Sequence, residues 1–143
     1  MKYQKSSHVT YDVRYHLVWI TKYRKRVLTE EIQKDLDKIL RKTCEKLNVV
    51  IIEVWYEEDH VHMYIRIPLT MWISETVWQI KWKSSYILKK LHYKHFKRTY
   101  WWTDSIWALW YFIATVGEIN GEVVKNYVAN QWKEENEVTE IEL

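Results

Sequence analysis

From Tyr11 to Trp19 the chain alternates. Tyr11, Val13, Tyr15, Leu17 and Trp19 are apolar or aromatic, while Asp12, Arg14 and His16 between them are polar, which is the period of a strand. Past the basic turn Lys22–Arg26 the period lengthens. Thr29 is suited to cap a helix with Glu30 and Glu31 in its first turn, where acidic groups complement the helix dipole. Its apolar stripe is Ile32, Leu36, Ile39, Leu40 and Leu47, with Lys42 and Lys46 near the end and Asn48 as the stop. Val49–Tyr56 is β-branched and apolar and reads as a buried strand, Glu57-Glu58-Asp59 as a turn, and His60–Ile67 as a strand ended by Pro68.

The spacing predicts a second helix from near Ser74 to about Leu91, with Val77, Ile80, Ile87, Leu88 and Leu91 on one stripe. His92–Asp104 has no clear period and reads as loop. Trp110–Val116 is a strand stopped by Gly117, and Asn120 can cap a final helix carrying Val123, Val124, Tyr127, Val128 and Gln131. The order β-α-β-β-α-β-α predicts an α+β fold. Its first six elements match the ferredoxin-like (RRM-like) layout, one antiparallel sheet with two helices on one face, leaving the other face free or covered by the last helix. With no repeat and no Pro/Gly-rich linker, residues 1–132 read as a single domain, and 133–143 as an acidic, frayed tail.

The chain is 143 residues long, enough for one hydrophobic core. Its apolar share of 48% and charged share of 29% exclude a disordered or fibrous class. No apolar run is long enough to span a membrane and MKYQKSSH has no signal-peptide core, so the expectation is a cytoplasmic protein. One cysteine, Cys44, excludes a disulfide framework, and its place in a helical stripe reads as an inert small hydrophobe. Charge is distributed unevenly. Residues 1–103 carry 20 Lys and Arg against 11 Asp and Glu, and residues 104–143 carry 2 against 8. A basic body of this kind suits a polyanionic partner. With two glycines there is no dinucleotide fingerprint or phosphate-cradling loop, which argues against hydride transfer and nucleotide hydrolysis.

Three constellations could carry chemistry. On a strand, His60, His62, Tyr64 and Arg66 share one face and Val61, Met63, Ile65 and Ile67 the other. The apolar set must face the helices, so both imidazoles lie on the open face, where they can bind one divalent metal or remain half-exposed sheet histidines. Tyr127 and Gln131 are one helical turn apart, a potential nucleophile beside a hard metal ligand, or a packed ring beside a surface amide. The third is basic. Lys22, Arg24, Lys25 and Arg26 form a run, and Lys81, Lys83, Lys89 and Lys90 lie along the second helix, interleaved with aromatics that can stack unpaired bases. Solvated helix faces are the alternative.

The combination resembles the HUH-type single-tyrosine transposases, which move small bacterial and archaeal insertion sequences as single-stranded DNA. The likeness spans roughly residues 8–132. It rests on YHLVWITKYRKRVL, on EEDHVHMYI with its His–hydrophobic–His core, on KSSYILKKL and YFIATVG, and on VVKNYVANQ, where Tyr and Gln are four apart. The resemblance implies a metal site of His60, His62 and Gln131 for Mg²⁺ or Mn²⁺, with Tyr127 as nucleophile forming a 5′-phosphotyrosine. It further implies a homodimer acting on single-stranded DNA hairpins at element ends, without a nucleotide cofactor. The sequence departs from the family pattern at Trp82 and Trp110, where Gly is usual, at Trp78, where Arg is common, and at Leu69, where a second Pro often follows. Two other readings fit the same residues: a non-catalytic module that binds single-stranded nucleic acid, and a replication-initiator-like nicking enzyme.

Overall fold

The structure is a computed structural model that describes residues 4–5, 10–11, 13–115 and 128–130. Two short strands, β1 (Gln4–Lys5) and β2 (Thr10–Tyr11), pair with each other. They precede β3 (Arg14–Ile20), α1 (Glu30–Lys46), β4 (Val50–Tyr56), β5 (His60–Arg66), α2 (Ile73–Leu91), α3 (Tyr93–Tyr100) and β6 (Phe112–Thr115). The main sheet has the order β4-β5-β3-β6, with every neighbouring pair antiparallel. That is the α+β, ferredoxin-like arrangement the element order predicts. The final helix capped at Asn120 lies outside the described residues except for 128–130, which are helical, and the acidic tail 133–143 lies outside them altogether.

Helix α1 begins as its sequence requires. Thr29 is extended at φ −64°, ψ 165°, and its side chain accepts from the Ile32 amide, satisfying one of the orphan donors of the first turn. Asn48 adopts φ 56° just beyond the helix, the left-handed conformation that ends helices and that Asn tolerates well. Leu17 and Trp19 of β3, Val61, Met63 and Ile65 of β5, and Leu36, Leu40, Val77, Ile80 and Leu88 of the helices close into one core. Both helices therefore cover the sheet face opposite the histidines. At the far end of this core Trp19 meets Trp107 edge to face, and the Trp107 indole donates to buried Ser84 Oγ at 2.9 Å.

Three elements differ from the sequence reading. The Val49–Tyr56 run is not a buried strand: Val50, Ile52 and Trp55 are exposed, because β4 is the sheet edge and a bulge between Ile51 and Glu53 interrupts its alternation. On α2, Ile87 and Leu91 are exposed. The buried stripe is instead Thr76, Val77, Ile80, Ser84, Ser85 and Leu88, since small hydroxyl residues let this helix approach its neighbours closely. The segment read as loop after His92 contains α3, an eight-residue helix with Phe96 and Tyr100 buried one turn apart and Lys97 and Arg98 in its last turn. Two apolar positions are too few to reveal a period. Among the described residues no helix is long and apolar enough to cross a membrane.

Candidate active site

The open sheet face is built by register. His60, His62, Tyr64 and Arg66 of β5 are all half-buried, while the alternating Val61, Met63 and Ile65 are fully buried behind them. Opposite them on β3, Ile20 pairs with His60, Val18 with His62, His16 with Tyr64 and Arg14 with Arg66. On the other side Trp55 of β4 pairs with His62. The face has an apolar floor at one end, where Val18 and Ile20 are buried under Ala108 and Val128 and flanked by Phe112. Val128 belongs to the described helical fragment 128–130, so that fragment meets the histidine face of its own chain.

The two predicted ligands are held differently. His60 Nδ1 donates to Asp59 Oδ1 at 2.8 Å. That contact fixes the ring through Nδ1 and leaves the Nε2 edge for another partner, the orientation carboxylate-backed metal ligands have. His62 Nε2 lies 3.0 Å from His16 Nδ1, its ring 4.7 Å from that of Trp55. Burial, and after it the neighbouring His16 and His60, push the His62 pKa down to about 4. Burial also lowers His16. His62 is thus a neutral imidazole at neutral pH, the state a metal requires. These two side chains fit a divalent cation. Among the described residues no group of three His, Cys, Asp or Glu side chains forms such a site. Gln131, the predicted third ligand, and Tyr127, the predicted nucleophile, both lie outside the described residues.

Tyr64, which shares the histidines' face, is locked. Its ring stacks on His16 with centroids 5.0 Å apart, and its hydroxyl accepts from Arg14 at 3.2 Å.

The basic turn is fixed to this site through Asp59, whose other oxygen accepts from Arg24 Nε at 2.9 Å. Burial raises the Asp59 pKa, but the bonds from His60 and Arg24 outweigh it and hold the carboxyl below its ordinary value. Lys22–Arg24 forms a 3₁₀ turn in which Tyr23 and Arg24 have φ of 57° and 50°. Such left-handed backbone costs bulky residues free energy and persists only where surroundings impose it. Here the Tyr100 hydroxyl donates to Lys22 O at 2.6 Å and Thr21 Oγ1 to Lys25 O at 2.7 Å. Lys25 and Arg26 remain exposed, Lys25 with its Nζ 5.5 Å from the centre of the Trp102 ring and Arg26 3.9 Å from Glu58.

The other basic candidates divide. Lys81 donates to the carbonyls of Ala108, Leu109 and Trp110, and Lys89 to those of Thr103 and Asp104, so both ammonium groups anchor the segment before β6. Lys83 and Lys90 stand on a different surface of α2. Sequence reasoning did not single out His16 or Asp59 as site residues. The signals were present: His16 has the strand's two-residue spacing from Val18, and Asp59 directly precedes His60.

Comparison with known proteins places this geometry. Residues 9–131 match the family model described as IS200-like transposase. The chain is 32% identical over 133 residues to the transposase for insertion sequence element IS200 of Salmonella typhimurium, covering 90% of this chain and 83% of that protein. It is 27% identical over 135 residues to the ISDra2 transposase TnpA of Deinococcus radiodurans, covering 94% and 95%. A crystal structure provisionally described as a transposase from Deinococcus radiodurans R1 superimposes with a TM-score of 0.82 at 27% identity, over 90% of this chain and 97% of that one. The chain belongs to the IS200-like transposase family.

Proposed function

We propose that this transposase cleaves and rejoins single-stranded DNA at the ends of its insertion sequence, with Tyr127 as the attacking group. The observation that carries this reading is the pair of histidines, His60 backed by the Asp59 carboxylate and His62 by the His16 imidazole, on a sheet face against which Val128 packs. Tyr127 immediately precedes Val128. Val128 rests on Val18 and Ile20, the cross-strand partners of His62 and His60.

His60 and His62, with Gln131 as third ligand, would hold Mg²⁺ or Mn²⁺, whose charge offsets the negative charge developing on the scissile phosphate. The chain's own groups do the rest. Asp59 fixes the orientation of the His60 ring, and His16 and Trp55 hold the His62 ring from two sides. The Tyr127 oxygen forms a bond to phosphorus, its proton given up, as the O3′ of the preceding nucleotide leaves and takes a proton, giving a 5′-phosphotyrosine and a free 3′-hydroxyl. Attack of a 3′-hydroxyl on that linkage regenerates the tyrosine and joins new strands, so the bond energy is conserved without a nucleotide cofactor. The exposed Lys25 and Arg26 beside Asp59 suit the phosphates of a hairpin DNA substrate, and handling two ends together calls for a homodimer.

Labelled single-stranded hairpin DNA incubated with Mn²⁺ and resolved on a denaturing gel tests the reading. The wild type yields a protein–DNA adduct; Tyr127→Phe and His62→Ala bind the hairpin and yield none. An adduct that persists in Tyr127→Phe, or maps to Tyr64, overturns the assignment.

A further inference from the structure

Helix α2 carries a row of aromatic rings on its solvent side. Trp78, Trp82 and Tyr86, four residues apart, are 61%, 51% and 49% exposed. Neighbouring ring centroids are 5.9 and 5.5 Å apart, with planes within 11° and 8° of parallel, and Lys90 Nζ lies 4.4 Å over the Tyr86 ring at the end of the row. The buried side of α2 packs on the core, on the sheet face away from the histidines. The row and the histidine site therefore occupy different sides of the molecule.

The row borders a basic groove. A space of about 510 Å³ separates it from α1, lined by Trp82 and Tyr86 together with Lys38, Lys42, Lys46 and Lys83. Among the described residues no carboxylate pairs with any of these four lysines. Flat apolar faces beside cations describe one ligand chemistry well: unpaired bases to stack on rings, joined by phosphates to meet ammonium groups. In a duplex the base faces are already covered by one another at a rise of about 3.4 Å. A second copy of this chain fits poorly, because a twofold contact through this face would set the four lysines against their own equivalents.

We propose that Trp78, Trp82 and Tyr86 form a second nucleic-acid surface that stacks a single-stranded segment, its phosphates held by Lys38, Lys42, Lys46 and Lys83. A strand held here is separate from the one cut at the histidine face, so the surface goes beyond the cleavage reading. It fits the unpaired DNA flanking a hairpin.

The test uses a labelled oligothymidine, which forms no hairpin, and the full chain. Replacing all three rings by alanine, at exposed positions where the melting temperature reports that the fold survives, lowers oligothymidine affinity by roughly tenfold or more and leaves blunt duplex affinity unchanged. Reversing Lys38, Lys42 and Lys46 to Glu lowers it too and flattens its salt dependence. Photocrosslinking of bromodeoxyuridine DNA to the unmodified protein maps to the 78–90 peptide. Unchanged oligothymidine affinity in the folded ring variant, an equal loss on duplex, crosslinks confined to other peptides, or an altered light-scattering mass with unaltered affinity would each overturn the proposal. Adduct formation on hairpin DNA is read separately, so loss of the cleavage reading leaves this result standing, and the reverse.

Discussion

Asp59→Asn isolates one contact on which both the histidine pair and the basic turn depend. Asp59 accepts from His60 through one oxygen and from Arg24 through the other, with its side chain only 15% exposed. Asparagine has the same shape but one acceptor, so its amide must face one of those two N–H groups, donor against donor. A hydrogen bond to a charged group contributes about 1.5–3 kcal/mol. Arg24 is 38% exposed, and solvent screening reduces that arm to about 1 kcal/mol or less. The retained oxygen takes the better partner, and the lost arm together with the donor-against-donor contact left in its place costs about 1–2 kcal/mol. For a chain of this length that lowers the melting temperature by roughly 3–8 °C. Removing the carboxylate behind a metal-ligating imidazole also weakens metal binding, by roughly 10- to 100-fold. Differential scanning calorimetry and Mn²⁺ titration calorimetry read the two effects independently. Wild-type melting together with wild-type Mn²⁺ affinity would show that Asp59 fixes neither group and refute the reasoning.

Ser84→Ala leaves the buried Trp107 indole without its acceptor and should cost about 1–3 kcal/mol by urea unfolding, although the serine is small and on a helix surface by sequence. Burial pushes the Cys44 thiol up to about 12, so a disulfide reagent at mildly alkaline pH should react only after denaturation; a fast native reaction would contradict the packing around it. Light scattering of the protein with hairpin DNA should give a dimer mass, and a monomer at micromolar concentration would count against two-ended strand exchange.

The elements legible in the sequence were those whose signals are local. Thr29 with Glu30 and Glu31 marks the start of α1, Asn48 marks its end, and strict alternation around His60-Val61-His62 assigns each β5 residue to its face. What stayed hidden depends on neighbours. Nothing in Val-Ile-Ile-Glu-Val-Trp-Tyr says that β4 lies at a sheet edge, because an edge is a property of pairing order and not of the strand itself. Ile87 and Leu91 look like core residues, yet the helix turns Ser84 and Ser85 inward where close packing and hydrogen bonds to Trp107 and Ile106 decide the matter. The His16–His62 contact was invisible for a similar reason. It joins residues 46 apart through register alone. The histidine half of the site was readable; the approach of Asp59 and His16 to it required the sheet.

The strained turn at Tyr23 and Arg24 has a consequence for how the chain folds. Its restraints come from far away: the Thr21 amide donates to Asp59 O, the Lys22 amide donates to Ile106 O, and Lys22 O accepts from the Tyr100 hydroxyl, 78 positions distant. A backbone that is unfavourable by itself cannot nucleate, so this segment has to acquire its shape after β5, α3 and the stretch before β6 have assembled. It is therefore a late reporter of folding. Substitutions in the turn should mainly accelerate unfolding and leave the folding rate nearly unchanged. The Lys22 amide, held by Ile106 O, should exchange with solvent only when the stretch before β6 separates from the turn.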